Sequence, residues 1–202
     1  MEKNKIKVLF TDLGGVLLTN GWDHQCRAKA VEVFGLDAKE YENRHQLLFG
    51  DYEVGKISLE TYLHYAVFFQ PRKFTPKEFM NFMYSQSQPL PDMIALVKEI
   101  KVKYGLKLVV ISNEGRELTD YRIKAFDMKS YVDFFIVSAF IGMRKPDREV
   151  YRLALDLVQV PAEECAYLED RELFVEIAKE FGIHAIHHKT AAATKEQLMQ
   201  LL

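Results

Sequence analysis

Five short runs of β-branched and aromatic residues, set between helix-patterned stretches, constrain this 202-residue chain more than any other feature. They are Ile6 to Thr11 (IKVLFT), Leu106 to Ser112 (LKLVVIS), Phe134 to Ser138 (FFIVS), Cys165 to Leu168 (CAYL) and Ile183 to His187 (IHAIH). Apolar runs this short suit strands covered on both faces. Pro91 to Tyr104 carries a proline start, apolar residues at helical spacing and Gly105 as a stop. Asp147 to Val158 and Arg171 to Phe181 read the same way, the latter ending at Gly182. Strand, helix and strand in alternation from residue 91 onward predict a parallel sheet with right-handed crossovers.

Residues 20–88 break that rhythm. They hold aromatic, helix-like segments at His24 to Phe34, Ala38 to Phe49, Leu59 to Phe69 and Pro76 to Ser85, parted by Gly35, Gly50, Gly55 and Pro71. The expected architecture is therefore α/β: a Rossmann-like parallel sheet flanked by helices, formed by residues 1–19 and 89–202. A helical-bundle cap of residues 20–88 is inserted after the first strand.

Charge narrows the function classes. With 27 basic and 29 acidic residues, net −2, the chain has no basic footprint for nucleic acid or an anionic membrane surface. No run reaches the roughly 18 apolar residues of a membrane span, and the opening stretch has no signal-peptide pattern. Cys26 and Cys165 stand far apart without a CxxC pattern, as reduced thiols do. A cytoplasmic monomer or homodimer acting on a small molecule is expected.

An open parallel sheet binds its ligand beyond the carboxyl ends of its strands. Asp12 follows the first run, Ser112-Asn113-Glu114-Gly115 the second, a loop with Lys145 the third, and Glu169-Asp170 the fourth. A hydroxyl and a lysine can hold anionic oxygens, paired carboxylates can hold Mg²⁺, and Asp12 can act as a nucleophile. Strand alternation sends His184 and His188 to one face and His187 to the other, which argues against a histidine metal site.

Read in order, TDLGGVL, VVISN, GMRKPD and YLED resemble the four motifs of the haloacid dehalogenase superfamily, and the helical insert resembles its type-1 cap. The subgroup of small sugar-phosphate phosphatases looks nearest. The resemblance implies Mg²⁺-dependent hydrolysis of small phosphate monoesters through an aspartyl phosphate on Asp12. It implies phosphoryl binding by Ser112, Asn113 and Lys145. Mg²⁺ would be held by Asp12, the Gly14 carbonyl and Asp170, with Glu169 supporting it from behind.

Two positions depart from the family pattern. Gly14 stands where these phosphatases usually carry an aspartate that protonates the leaving oxygen, a function typically worth ~10²–10⁴ in rate. Phe174 stands where an Asp or Asn is common, with Glu172 near it in sequence. Asp23, His24, Asp51 and Glu53 are the candidates for a proton carrier supplied by the cap. The rival expectations are a dehalogenase-type hydrolase, which needs no metal, and a catalytically impaired phospho-ligand binder.

Overall fold

The computed structural model describes residues 6–202. In chain order the elements are β1 (Val8–Thr11), α1 (His24–Phe34), α2 (Ala38–Glu53), α3 (Leu59–Ala66), α4 (Pro76–Ser85), α5 (Pro91–Tyr104) and β2 (Lys107–Ser112). They continue with α6 (Arg116–Ala125), β3 (Phe134–Val137), α7 (Ser138–Ile141), α8 (Arg148–Val158), β4 (Cys165–Glu169), α9 (Glu172–Glu180), β5 (His184–His187) and α10 (Ala191–Leu201). The strands form one parallel sheet in the order β3-β2-β1-β4-β5. This is the α/β fold expected from the five apolar runs.

β1 is central and buried along its whole length because both faces are covered. Leu9 packs into one layer with Val97, Leu108, Val110 and Leu198. Val8 and Phe10 pack into the other with Ile111, Tyr151, Ala154 and Val175. Each large apolar side chain buried in this way contributes ~1.5–3 kcal/mol. The order reverses around β1, so a crevice opens beyond its carboxyl end, where Asp12 stands.

Helices α1 to α4 share an interior of their own, built on Trp22, Tyr41, Tyr52, Tyr62, Phe79 and Met83. Asp23, Asp37, Ser58 and Thr75 cap their first turns by accepting backbone N–H bonds. The two segments that join these helices to the sheet are tied together: Thr19 N donates to the Gln88 carbonyl, and Leu90 N to that of Leu17. Arg122 of α6, fully buried, clamps both segments, donating to the Thr19 carbonyl at 2.9 Å and to Ser87 Oγ at 2.9 Å. Its charge is met by Glu114 Oε1 at 2.6 Å.

The structure differs from the sequence expectation at several elements. α2 runs on through Gly50 to Glu53, α3 stops at Ala66 short of Phe69, Ser138 opens α7 where the third strand was expected to end, and α6, α7 and α10 have no counterpart among the expected elements. α6 turns Thr119 and Arg122 inward beside Leu118 and Ile123, so its buried face shows no apolar stripe.

Candidate active site

The four strand-tip segments meet at one end of the sheet. Asp12 follows β1 directly; its Oδ1 accepts from the Leu13 backbone N–H at 2.7 Å, which fixes the carboxylate's direction. Its Oδ2 lies 3.2 Å from Lys145 Nζ. Lys145 comes from the loop between α7 and α8 and is 2% exposed, so its ammonium must be matched inside the protein. It is: Nζ donates to Glu169 Oε2 at 2.6 Å, to the Tyr167 hydroxyl at 3.0 Å and to the Ile111 carbonyl at 3.2 Å. The Phe174 ring faces the same ammonium, its centroid 5.1 Å away.

Glu169 is fully buried at the end of β4 and has no oxygen free. Oε2 accepts from Lys145 and from the Tyr167 hydroxyl at 2.5 Å, and Oε1 from the Arg171 backbone N–H at 3.0 Å. Tyr167, two residues back along β4, shares a strand face with Glu169, which is how its hydroxyl reaches the carboxylate. The sequence reading passed over Tyr167, since a tyrosine inside an apolar strand reads as core. That spacing of two from an acidic strand end was the available signal.

The carboxylates of Asp12, Glu169 and Asp170 each place an oxygen within 4.8 Å of the others. Asp170 Oδ1 is buried and has no hydrogen-bond partner among the described residues, while the Asp170 carbonyl is held by His187 Nε2 at 3.0 Å. The other oxygen, Oδ2, lies over Gly15, where a Cβ would stand only 2.3 Å away. Gly15 also has φ +75°, a conformation that favours glycine. Burial pushes the Asp12 carboxyl up to about 6; Lys145 opposes that rise and Glu169 adds to it. Burial alone would lower Lys145, but Asp12 and Glu169 hold it above its usual range.

A cavity of about 90 Å³ lies between these strand tips, the segment leading into α1 and the end of α2. Asp12, Gly14, Ser112, Asn113, Lys145 and Phe174 face it from the sheet side, and Trp22, Phe49, Tyr52 and Glu53 from the helical side. Ser112 is buried at the tip of β2. Asn113 spends its side chain on the main chain of Lys145: Nδ2 donates to the Lys145 carbonyl at 2.7 Å, and Oδ1 accepts from Lys145 N–H at 2.8 Å. This reciprocal pair fixes the Lys145 loop against β2.

Phe174 lines the cavity, whereas Glu172 is exposed and outside the carboxylate group. Of the four acidic or histidine candidates from the helices, Asp23 and Glu53 reach the cavity; His24 and Asp51 are exposed and do not line it. Asp23 Oδ1 is occupied as the α1 cap, accepting from Cys26 N–H at 2.8 Å. Glu53 pairs with Arg144 at 2.6 Å, and its carbonyl accepts from Ser138 Oγ.

Known proteins share this fold. A HAD family enzyme from Bacteroides thetaiotaomicron, in complex with magnesium and inorganic phosphate, superposes with a TM-score of 0.77 at 21% identity, over 91% of this chain and 94% of that one. A HAD-like family hydrolase from Porphyromonas gingivalis gives 0.75 at 16% identity, over 96% and 98%. Among curated relatives, a phosphorylated carbohydrates phosphatase of Thermotoga maritima is 29% identical over 96 residues, 48% of this chain and 43% of that protein. The Escherichia coli pyrimidine 5'-nucleotidase YjjG is 25% identical over 128 residues, 59% and 55% respectively. The chain thus spans about half the length of these two curated relatives. No described helix is long and apolar enough to cross a membrane. The haloacid dehalogenase-like hydrolase family matches residues 6–182, and the chain belongs to that family.

Proposed function

We propose that the chain is a Mg²⁺-dependent phosphatase of small phosphate monoesters, working through an aspartyl phosphate on Asp12. The observation that carries this reading is the buried Lys145 ammonium, held between Asp12 and Glu169 at the wall of the cavity. A buried amine there offsets the repulsion between the Asp12 carboxylate and a phosphate dianion, the main obstacle to attack by an anion on an anion. Ser112 lines the phosphoryl end of the cavity, and Asn113 acts by fixing the Lys145 loop. Trp22, Phe49 and Tyr52 wall the other end, where α1 to α4 serve as a cap that excludes water. A sugar phosphate as substrate is supported by the Thermotoga maritima relative.

The residues present fit a hard divalent cation. A buried Asp170 oxygen with no partner, close to a second carboxylate, is an electrostatic debt that such a cation settles. Asp12, Asp170 and the Gly14 carbonyl would hold it, while Glu169 is committed to Lys145. When bound it neutralises phosphoryl charge. Asp12 meanwhile presents one oxygen to phosphorus, its direction set by the Leu13 N–H, and Lys145 stays a charged donor throughout.

The test is phosphate release from p-nitrophenyl phosphate. Turnover is expected with Mg²⁺ and should be lost on chelation with EDTA. Phosphate release that survives EDTA would remove the metal from this reading, and release absent under both conditions beside chloride release from a 2-haloacid would favour the dehalogenase-type reading, for which solved dehalogenases at a TM-score of 0.62 and 0.63 supply the fold precedent. Saturating Mg²⁺ is also expected to raise the melting temperature by several degrees, since a ligand at about 100 Kd stabilises by about 2.7 kcal/mol.

Gly15→Ala probes the same centre differently. Its methyl would collide with Asp170 Oδ2 at 2.3 Å, in a backbone conformation that alanine resists. The expected outcome is loss of the Mg²⁺-dependent melting shift and a fall in activity of about 10²-fold, the usual cost of a misplacement near 1 Å. A variant that keeps the full Mg²⁺ shift would remove Asp170 from the cation site.

A further inference from the structure

The Lys145 ammonium has three N–H groups and four acceptors around it: Glu169 Oε2 at 2.6 Å, the Tyr167 hydroxyl at 3.0 Å, and the Ile111 carbonyl and Asp12 Oδ2, both at 3.2 Å. The two nearest acceptors are themselves joined. As a carboxylate paired with an ammonium, Glu169 has no proton to donate, so the 2.5 Å contact is a hydrogen bond from the Tyr167 hydroxyl to Oε2. Tyr167 thus accepts from Lys145 and donates to Glu169, and the three groups close a triangle behind the amine. We propose that Tyr167 is a positioning residue: with Glu169 it holds two of the lysine's N–H groups, and so aims the third at the phosphoryl group beside Asp12. This rests on the phosphatase reading above.

The fold fixes this hydroxyl. Tyr167 is fully buried and has parallel neighbours on both sides, pairing with Phe10 of β1 and Ala185 of β5. Its ring meets that of Tyr151 edge-on, with centroids 6.4 Å apart. A hydroxyl in such an apolar layer is costly unless it is bonded, and here both its donor and its acceptor capacity go to one ion pair. Neither Tyr167 nor Glu169 lines the cavity, whereas Asp12 and Lys145 both do. The hydroxyl therefore reaches the reaction only through the lysine.

Rotation about the Cε–Nζ bond lets a free ammonium turn its protons in any direction. Two acceptors that are joined to each other remove that freedom. The third N–H is left to the longer contacts with Ile111 and Asp12. An arriving phosphoryl oxygen has only these 3.2 Å contacts to displace, while the two inner bonds stay as they are. As the Asp12 oxygen closes on phosphorus and the ester bond breaks, the directed N–H meets the charge on a transferring oxygen without reorganising. Without the Tyr167 hydroxyl the amine keeps its charge and its bond to Glu169, but it swivels about that single short contact. Attraction for the dianion is then kept, and the aim at the transition state is lost.

The experiment compares Tyr167→Phe with the parent protein on p-nitrophenyl phosphate with Mg²⁺. It adds inhibition by inorganic phosphate and by orthovanadate, which adopts the five-coordinate geometry of phosphoryl transfer. Phenylalanine removes the hydroxyl and keeps the ring. kcat is expected to fall about tenfold to a hundredfold, the scale of one hydrogen bond to a charged group, with KM changed less than about threefold. The inhibition constant for orthovanadate should rise by the factor by which kcat falls, and that for phosphate by less than about threefold. The Mg²⁺-dependent melting shift should remain, because Asp12 and Asp170 are untouched. A kcat within about threefold of the parent overturns the proposal, and so does an orthovanadate constant that does not follow kcat. Equal weakening of both inhibitors, the mark of a loosened core, overturns it too. Loss of the Mg²⁺ shift does the same, since the hydroxyl would then serve the cation site. If the variant shows no cooperative melt, proton NMR of the parent decides. The Tyr167 hydroxyl proton should give a slowly exchanging resonance far downfield that persists when Mg²⁺ and orthovanadate are added. Its absence, or its loss on that addition, overturns the proposal and leaves the phosphatase reading intact. A parent protein that releases no phosphate, or does so equally well as Asp12→Asn, overturns the phosphatase reading and the proposal with it.

Discussion

Asp12→Asn is expected to abolish phosphate release and, in metal-free solution, to make the protein more stable. The first effect follows from removing the nucleophile: a neutral amide does not form the acyl phosphate, and loss of such a group typically costs about 10⁴-fold or more. The second follows from the electrostatics of the unliganded site. Burial raises the Asp12 carboxyl to about 6 from the ordinary 3.8, with Glu169 adding to the rise. A raised folded-state value means that the folded protein holds this proton more tightly than the unfolded chain does. The stability tied to this group is therefore complete below 3.8 and is lost as pH climbs through about 6. At pH 8 the wild type carries the whole penalty, of order 1–3 kcal/mol, and the asparagine variant carries none. Urea unfolding in EDTA should show the variant ahead at pH 8, with the gap closing toward pH 4. A variant less stable than wild type at pH 8, or one that retains more than about a hundredth of the activity, would contradict this account.

That trade of stability for reactivity explains which parts of the site were legible in the sequence. Asp12, Lys145, Glu169 and Asp170 sit at or near the ends of apolar runs, and strand ends in a parallel sheet converge whatever the side chains between them. The position of Asp12 could thus be read from spacing, and that of Lys145 from its loop after the third run together with the GMRKPD resemblance. The double duty of Glu169 could not: its contact with Lys145 depends on how deeply the loop after α7 inserts, which Asn113 fixes through two hydrogen bonds across 32 positions. α6 escaped notice because its inward face carries Arg122 and Thr119, and a polar core face has no hydrophobic period. Local pattern encodes elements and their order; contacts that cross from one segment to another through buried polar groups do not appear in it.

Lys145→Met is expected to be the most disruptive single change at the site, for stability as well as activity. The amine is buried beside two carboxylates, and methionine keeps most of its length, one atom short, while removing the charge. Glu169 would then sit in the interior with its charge unmatched, sharing the space with Asp12. Deleting one partner of a buried ion pair typically costs about 3–5 kcal/mol, a large share of the roughly 5–15 kcal/mol available to a domain. The hydrogen bonds to Tyr167 and Ile111 and the ring contact with Phe174 would be lost as well. If the cost is electrostatic, it should be reversible by a second change. Lys145→Met combined with Glu169→Gln removes the stranded charge and should recover at least half of the lost stability in urea titration, while phosphate release stays abolished. Were the loss instead one of packing, Glu169→Gln would add its own cost to that of Lys145→Met, and the two would sum. The sign of the coupling energy in this double-mutant cycle therefore shows whether the lysine is held in place by charge. A lysine fixed in that way meets an incoming phosphate with its direction already set and its desolvation cost already met by the fold.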